Sequence, residues 1–334
     1  MNEFPPVNAQ GQPTGNADKH INHYLSRNIK ILARHIADQR KEVILQQPII
    51  DRPLNINLQS KICTQADVEA PWSRYWIERE LKKTFVYHRK HWEEAFVLQA
   101  LYEHGMLSPG VHGLGLGCGQ EPLPSYLASR GCRILASDKP GSAAGTQSWI
   151  QTNQHMASKE ILYIKEYLDE DTFNKNVAIR YIDMNQLPHE LDQSFDFCWS
   201  VCVIEHLGSI RNGLDFLRNS LRLLKPGGIS VHTTEYNLLA TEHTIDNWGS
   251  VLFQKKHFEA LQKEMPQLGG RIIGCDFHHG DGLFDQYADC PPWEHQDFAG
   301  FKGNCGMNVE APHLKVCFDG FVYTCFGVIL QKNR

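Results

Sequence analysis

The chain has 334 residues, with 33 Lys or Arg against 38 Asp or Glu, so its formal net charge is -5. This acidic balance argues against a general nucleic-acid-binding protein, which needs a basic surplus. With 42% hydrophobic and 21% charged residues, the chain can bury a substantial core, which excludes wholesale disorder. The longest strongly apolar run, near residues 321–330, has about half the length that a membrane-spanning helix requires.

The N-terminal part of the sequence is polar at first and then follows a helical pattern. Residues 1–19 are rich in Pro, Gly, Asn and Gln, which predicts a mobile tail. Residues 20–105 are predicted to form a helical N-terminal cap, which opens with apolar residues at helical spacing. These are Ile21, Leu25, Ile29, Leu32 and Ile36. Such a helix either covers the core or contacts another subunit, so a homo-oligomer is one of the two alternatives.

The cellular compartment is predicted from the N-terminus and the cysteines. The first residues are polar and show no secretory signal, so we expect a cytoplasmic protein. The ten cysteines form no CxxC pair and have no paired zinc spacing, and we interpret them as free thiols of a reducing compartment.

From Val111 onward, short apolar runs alternate with helical stretches, which is typical of a parallel α/β sheet. Five parallel strands are predicted near 111–117, 132–137, 177–182, 195–201 and 228–234. The segments 271–277 and 320–331 predict an antiparallel closing pair. We therefore expect a Rossmann-like seven-stranded α/β domain over 106–334, with a core at 106–235 and a substrate-side region with the closing strands at 236–334.

The central motif is a glycine-rich turn, HGLGLGCGQEPLPSYLASRG, between a predicted strand and a predicted helix. Gly115, Gly117 and Gly119 let a ligand approach the backbone closely. The next strand, CRILASD, ends in Asp138, about 20 residues after the turn, where a carboxylate accepts hydrogen bonds from two ribose hydroxyls. Together these features indicate a nucleoside-bearing cofactor, either NAD(P) or S-adenosylmethionine.

Two further segments distinguish between these two cofactors. IRYIDMNQLPHELDQSFDFCWSVCVIEHLGS and LRLLKPGGISVHTTE resemble the middle of class I S-adenosylmethionine-dependent methyltransferases, and the resemblance covers about residues 106–235. It implies that Asp183 faces the adenine amino group and that Met184 lies against the ring. It also implies that the end of the fourth strand, from Ser200 to Val203, passes beneath the cofactor.

The glycine turn departs from this family's pattern at two positions. The family has an acid two residues before its GxG, where this chain has Gly115, and a third glycine where this chain has Glu121. Because the family's acid contacts the amino group of the cofactor, Glu121 is a candidate to supply that charge. The alternative is that Glu121 complements the dipole of the helix that begins there.

The flanking segments SKICTQADVEAPW, HRKHWE, VHTTEYN, APHLKV and FVYTCFGVIL resemble a bacterial methyltransferase group with links to glycan or small-molecule modification. This wider resemblance extends to about residues 60–332. It makes His88 and Arg89 candidates to reach the cofactor carboxylate, and the alternative for both is a solvated helix face.

Methyl transfer to a hydroxyl calls for a base that removes the proton as the bond forms. The candidates are Glu205, His206, His232, Glu235 and His243. Since strand ends four and five converge on the methyl group in this fold, Glu235 and His206 rank first as catalytic residues. Alternatively His206 caps its helix, Glu235 fixes a loop, and catalysis proceeds by orientation without a dedicated base.

The segment CDFHHGDGLFDQYADC raises the question of a metal site at His278, His279, Asp281 and Cys290. Adjacent histidines on a strand point in different directions, and no spacing completes a tetrahedral set, so we predict no metal. Downstream, Trp293, Phe298 and Phe301 are candidates to stack on a sugar or to fill a satellite core.

The sequence therefore predicts a methyltransferase that uses S-adenosylmethionine to methylate a small-molecule or glycan acceptor, with a hydroxyl as the favoured acceptor group. We expect neither a nucleic-acid partner nor membrane insertion. Two alternatives remain: an NAD(P)-dependent oxidoreductase, favoured by the generic glycine turn and Asp138, and a non-catalytic cofactor-binding protein.

Overall fold

The computed structural model of the protein describes residues 8–12, 14, 17–143, 146–151, 154–291 and 311–334. The ten described α-helices, α1 to α10, span Ala17–Leu45, Gln65–Glu69, Pro71–Arg74, Arg89–Glu103, Leu123–Ser129, Gln147–Gln151, Glu170–Asn176, Ile210–Leu223, Lys255–Glu264 and Leu283–Gln286. The ten described strands, β1 to β10, span Lys61–Ile62, His112–Gly115, Arg133–Asp138, Val177–Tyr181, Phe195–Val201, Leu224–Asn237, Gly270–Ile272, Ala288–Asp289, Lys315–Phe318 and Phe321–Lys332. None of the helices in these ranges is both long and apolar enough to cross a membrane.

All the described strands join one mixed sheet with the order β4-β3-β2-β5-β6-β10-β9-β8. The five strands β2 to β6 pair in parallel, as predicted. β10 lies antiparallel to β6, in a register that runs from Tyr323 opposite Asn237 to Gln331 opposite Ile229. The Rossmann-like α/β class is therefore confirmed.

The predicted count of seven strands is wrong, because the described sheet has ten. The predicted antiparallel closing pair is present as β7 and β10, which meet at Ile272 and Leu330. The additional strands are β1, β8 and β9, which have only two, two and four residues. β10 is long enough to pair with β6 along one edge and with β9, β1 and β7 in turn along the other.

The N-terminal region is mainly helical, but it also contributes to the sheet. α1 already begins at Ala17, and most of the predicted tail before it lies outside the described residues. β1, within the predicted helical cap, pairs with β10. α4 also lies within the predicted helical cap, and the His88 ring caps its first turn by accepting the N–H of Lys90 at 3.1 Å.

α4 packs directly on the sheet, and this contact places the N-terminal region beside the ends of the parallel strands. Trp92 and Phe96 of α4 are fully buried. Gly327 of β10 leaves room for Phe96, since a Cβ atom there would lie 2.4 Å from the Phe96 ring. The opposite face of the sheet carries α8 and α9, whose Phe216 and Phe258 are also buried. The sheet is thus covered by helices on both faces, as a parallel sheet requires.

Candidate active site

A cavity of about 730 Å³ opens at the carboxyl ends of β2, β3, β4 and β5. This is where open α/β sheets bind their ligands. The walls come from the turn after β2, from the ends of β3 to β5, from α4 and from two segments outside the sheet. The residues that line the cavity include Lys90, Glu94, Gly117, Gly119, Glu121, Asp138, Trp149, Asp183, Met184, Cys202, Val203, His206 and Gly249.

The glycine turn forms one wall, and its conformation needs glycine at two positions. Gly117 and Gly119 have φ angles of +66° and +52°, in the left-handed region that residues with a Cβ atom rarely adopt. A Cβ atom at Gly117 would lie 2.6 Å from the Val203 side chain. Gly115 does not line the cavity; a Cβ atom there would lie 2.4 Å from the Trp199 ring. The structure therefore brings Gly117 and Gly119, but not Gly115, to the cavity.

Three residues predicted to bind the cofactor lie together on the cavity wall. Asp138 accepts the backbone N–H of Lys139 at 2.7 Å and that of Met156 at 2.8 Å, one with each carboxylate oxygen. These bonds hold the carboxylate in place, and each oxygen keeps lone-pair capacity for a ligand. Asp183, with its carboxylate accepting the Asn185 N–H at 2.9 Å, and the buried Met184 complete the group.

Glu121 also lines the cavity, and its surroundings favour the neutral acid. One carboxylate oxygen accepts the indole N–H of Trp199 at 2.6 Å. Burial, with the nearby Glu94 carboxylate acting in the same direction, raises the pKa of Glu121 to about 8 despite the opposing effect of the Trp199 bond. A cation bound next to Glu121 would favour its ionised form.

Ser200, which was predicted to bind the cofactor, does not reach the cavity. Successive side chains of a strand point to opposite faces of the sheet, and Ser200 lies on the α8 face. Its hydroxyl is hydrogen-bonded to Nδ1 of His232 at 2.8 Å. Burial lowers the pKa of His232 to about 3, so this candidate base is held neutral inside the protein, away from the cavity.

His206 lies on the cavity wall and offers one ring nitrogen there. Its Nδ1 lies 2.8 Å from the carbonyl oxygen of Gly249. Since a carbonyl only accepts hydrogen bonds, Nδ1 carries the proton and the neutral ring keeps its lone pair on Nε2. Nε2 lies 3.9 Å from Oε1 of the fully buried Glu205, beyond hydrogen-bond distance. His206 is therefore arranged to accept a proton.

Glu235, the other residue ranked first for catalysis, is held away from the cavity wall by two partners. The Arg89 guanidinium donates to its Oε1 at 2.9 Å, and the Ser250 hydroxyl donates to its Oε2 at 3.0 Å. Because Arg89 pairs with Glu235, it does not line the cavity. His88, the other candidate for the cofactor carboxylate, caps α4 and does not line the cavity either. The geometry thus separates His206 from Glu235.

Two buried groups of described residues have metal-compatible atoms: Glu93 with Cys202 and Cys325, and Cys202 with Glu205 and Glu235. Arg89 already supplies a cation to both. Its Nη1 donates to the sulfur atoms of Cys202 at 3.3 Å and Cys325 at 3.1 Å. We therefore assign no metal to either group.

The two downstream segments contribute little to the cavity. His278 and Asp281 are exposed and lie 3.5 Å apart, away from the cavity wall. The predicted stacking residues Trp293, Phe298 and Phe301 lie outside the described residues.

Several wall residues were not predicted as site residues. Lys90 and Glu94 come from α4, Trp149 comes from α6, and Gly249 comes from the segment between β6 and α9. The i, i+4 spacing of Lys90 and Glu94 was a usable signal, because it places both on one helix face. Trp149 packs edge-on against His206, with 4.6 Å between the ring centroids.

Comparison with known proteins gives one informative match. Residues 114–232, about a third of the chain, match the family model of a methyltransferase domain. The sequence matches no curated protein.

Solved structures similar to this chain include a putative sarcosine dimethylglycine methyltransferase from Galdieria sulphuraria, with 16% identity, a TM-score of 0.44 and coverage of 73% of this chain and 85% of that one. Another is phosphoethanolamine N-methyltransferase 2 from Haemonchus contortus, with 15% identity, a TM-score of 0.41 and coverage of 78% and 56%. A third is magnesium protoporphyrin IX methyltransferase from Synechocystis PCC 6803, with 12% identity, a TM-score of 0.38 and coverage of 71% and 80%. At these TM-scores the likeness decides nothing about function.

The family match covers β2 to β6 up to His232, the part of the chain that supplies the glycine turn and the strand ends around the cavity. The glycine turn and Asp138 were compatible with either NAD(P) or S-adenosylmethionine. The family match favours S-adenosylmethionine and excludes the alternative of an NAD(P)-dependent oxidoreductase. Residues 114–232 match a methyltransferase domain, and the protein is an enzyme whose methyl donor is S-adenosylmethionine.

Proposed function

We propose that this enzyme methylates a hydroxyl group of a small-molecule or glycan acceptor and that His206 is its general base. The observation that carries the proposal is the hydrogen bond from His206 Nδ1 to the Gly249 carbonyl. It fixes the tautomer in which Nε2, on the cavity wall, is free to take a proton. A hydroxyl acceptor must lose its proton during methylation, so a base placed there suits this acceptor class.

The residues on the wall fit the cofactor. Gly117 and Gly119, both in the left-handed region, add no side chain at their positions on the wall, so a ligand can approach the backbone there. Asp138, with lone-pair capacity left on both oxygens, suits ribose hydroxyls, and Asp183 with Met184 suits a purine amino group and ring face. When bound, S-adenosylmethionine supplies an electrophilic methyl group on a sulfonium.

The acceptor side of the proposed site contains an aromatic ring beside the base. Trp149 and His206 line the cavity together, at an interplanar angle of 65°. A ring-shaped acceptor such as a sugar gains apolar contact with an indole while its hydroxyl stays within reach of the imidazole. This pairing supports a glycan or another cyclic alcohol over an open-chain amine.

Glu205 prepares the site for the proton that His206 takes up. Its Oε2 accepts the Thr234 hydroxyl at 2.9 Å, whereas its buried Oε1 has no hydrogen-bond partner among the described residues. Burial raises the pKa of Glu205, with Glu235 acting in the same direction and His206 opposing them. Once Nε2 of His206 is protonated, Oε1 of Glu205 lies 3.9 Å from the positive charge and stabilises the imidazolium.

The test is methyl transfer from isotopically labelled S-adenosylmethionine to a panel of sugars, cyclic alcohols and amines, followed by mass spectrometry. We expect label on a hydroxyl oxygen. His206→Asn should lower kcat by about 100-fold to 10,000-fold and leave cofactor affinity unchanged. His243→Asn is the matched control, because His243 is exposed and lies away from the cavity wall. Label on amines alone, or full activity of His206→Asn, would refute the proposal.

We also propose a cytoplasmic location. The nine described cysteines carry free thiols, which supports a reducing compartment.

A further inference from the structure

α4 places a cation and a carboxylate side by side on the cavity wall. Lys90 and Glu94 both line the cavity and are four residues apart on the same helix. Residues at this spacing lie about 5–6 Å apart between their Cβ atoms. The helix therefore presents two opposite charges to the cavity at the distance of one helical turn.

The carboxylate end of this pair has room for a second cation. Both oxygens of Glu94 accept hydrogen bonds from the Lys83 ammonium, at 2.6 and 2.5 Å. Glu121 lies close enough to Glu94 for the Glu94 carboxylate to raise the pKa of Glu121, in addition to the larger effect of burial. Lys83 donates to Glu94 and acts on Glu121 only as a nearby positive charge, so a cationic ligand group between the two carboxyl groups would be stabilised here.

The cationic end has donors to spare. The Lys90 side chain is 44% exposed, and its ion-pair partner among the described residues is Glu93, at 3.5 Å. Glu93 already accepts the Cys325 thiol at 2.9 Å and the Thr233 hydroxyl. An ammonium has three N–H donors, so Lys90 keeps hydrogen-bonding capacity toward the cavity.

We propose that Lys90 and Glu94 form a binding site for an α-amino acid group, in which Lys90 holds the carboxylate and Glu94, with Glu121, holds the ammonium. We assign this site to the methionine end of the cofactor, so the inference rests on the S-adenosylmethionine chemistry above. An amino-acid acceptor would present the same two charges. The site also accounts for the missing family acid, since Gly115 stands at that acid's position and does not reach the cavity.

Calorimetric titration with two ligands tests the assignment. S-adenosylhomocysteine carries the α-amino acid group, and 5′-methylthioadenosine lacks it. Lys90→Gln should weaken S-adenosylhomocysteine binding by about tenfold or more, because a charge-assisted hydrogen bond is lost, and should change methylthioadenosine binding by less than about twofold. Glu94→Gln should show the same selectivity. Lys256→Gln, on the exposed surface of α9, is the matched control and should affect neither ligand.

Each other outcome overturns the inference in a distinguishable way. An equal effect of Lys90→Gln on both ligands, or no effect on either, would show that α4 does not hold the amino acid group of the cofactor. Unchanged S-adenosylhomocysteine binding together with lost binding of free amino acids to the cofactor complex would assign the pair to the acceptor instead. If the unaltered protein bound neither ligand, the cofactor assignment itself would fail.

Discussion

Cofactor affinity should depend on pH through Glu121. The carboxyl group has a pKa of about 8, raised chiefly by burial, and it faces Glu94, Lys83, Cys118 and the Trp199 indole. If the ionised form binds the ligand ammonium, the apparent affinity scales with the ionised fraction. That fraction is about 1% at pH 6, about 9% at pH 7 and about 50% at pH 8 for such a group. Affinity for S-adenosylhomocysteine should therefore rise about tenfold from pH 6 to 7 and about fivefold from pH 7 to 8.

The assay is calorimetric titration at pH 6, 7 and 8, each in two buffers with different ionisation enthalpies. The buffer dependence of the observed heat should report proton release, because ligand binding shifts Glu121 to its ionised form. Glu121→Gln should bind with an affinity that is nearly independent of pH, and 5′-methylthioadenosine, without an ammonium group, should show little dependence with either protein. An affinity that falls as the pH rises, or an unchanged slope in Glu121→Gln, would refute the reasoning.

Three further predictions concern stability. Gly117→Ala should destabilise the protein by about 1–3 kcal/mol, because the backbone there is left-handed and the new methyl group would meet Val203. Gly110→Ala is the control, since Gly110 has a φ of +83° but open space around it. Equal losses of melting temperature in the two variants would contradict the role of the Val203 contact. Arg89→Met should cost about 3 kcal/mol or more in urea unfolding, because Glu235 loses its buried ion-pair partner, and a neutral result would contradict this. Between pH 4.5 and about 8 the folded state retains a proton on Glu121 that the unfolded state has lost, so the free energy of unfolding should fall as the pH rises through this window. Glu121→Gln should lack this decline in urea midpoints measured at pH 5 and 8, and an identical decline in both proteins would show that other groups cause it.

The parallel core was predictable because its strands are long enough to show a pattern. Each of the strands β2 to β6 coincides with an apolar run at a predicted position. Their parallel pairing follows from the alternation of strands and helices along the chain. β1 and β8 have two residues each and show no periodicity. They form because β10 offers unpaired edges, and that depends on contacts between residues far apart in the sequence.

The candidate site was likewise predictable where its residues belong to a local motif, and not where distant contacts place them. The glycine turn and the strand ends are local motifs, and the structure brings Gly117, Gly119, Asp138 and Asp183 to one cavity, although their roles stay predictions. For Glu235 the strand position was a poor guide, because the side chain pairs with Arg89, 146 residues away in sequence. Lys90 and Glu94 were missed because α4 precedes the motif, and only the packing of α4 on β10 brings them to the site.

The position of β10 has a consequence for how the chain folds. β10 pairs with β1, β6, β7 and β9, and all four precede it in the sequence. Lys61 of β1 pairs with Gly327, so during synthesis β1 has no strand to pair with until residue 327 has been made. Contacts this distant slow folding, and they leave the edge of β6 open to other chains in the meantime. We expect folding intermediates to contain a formed parallel half and an incomplete active site.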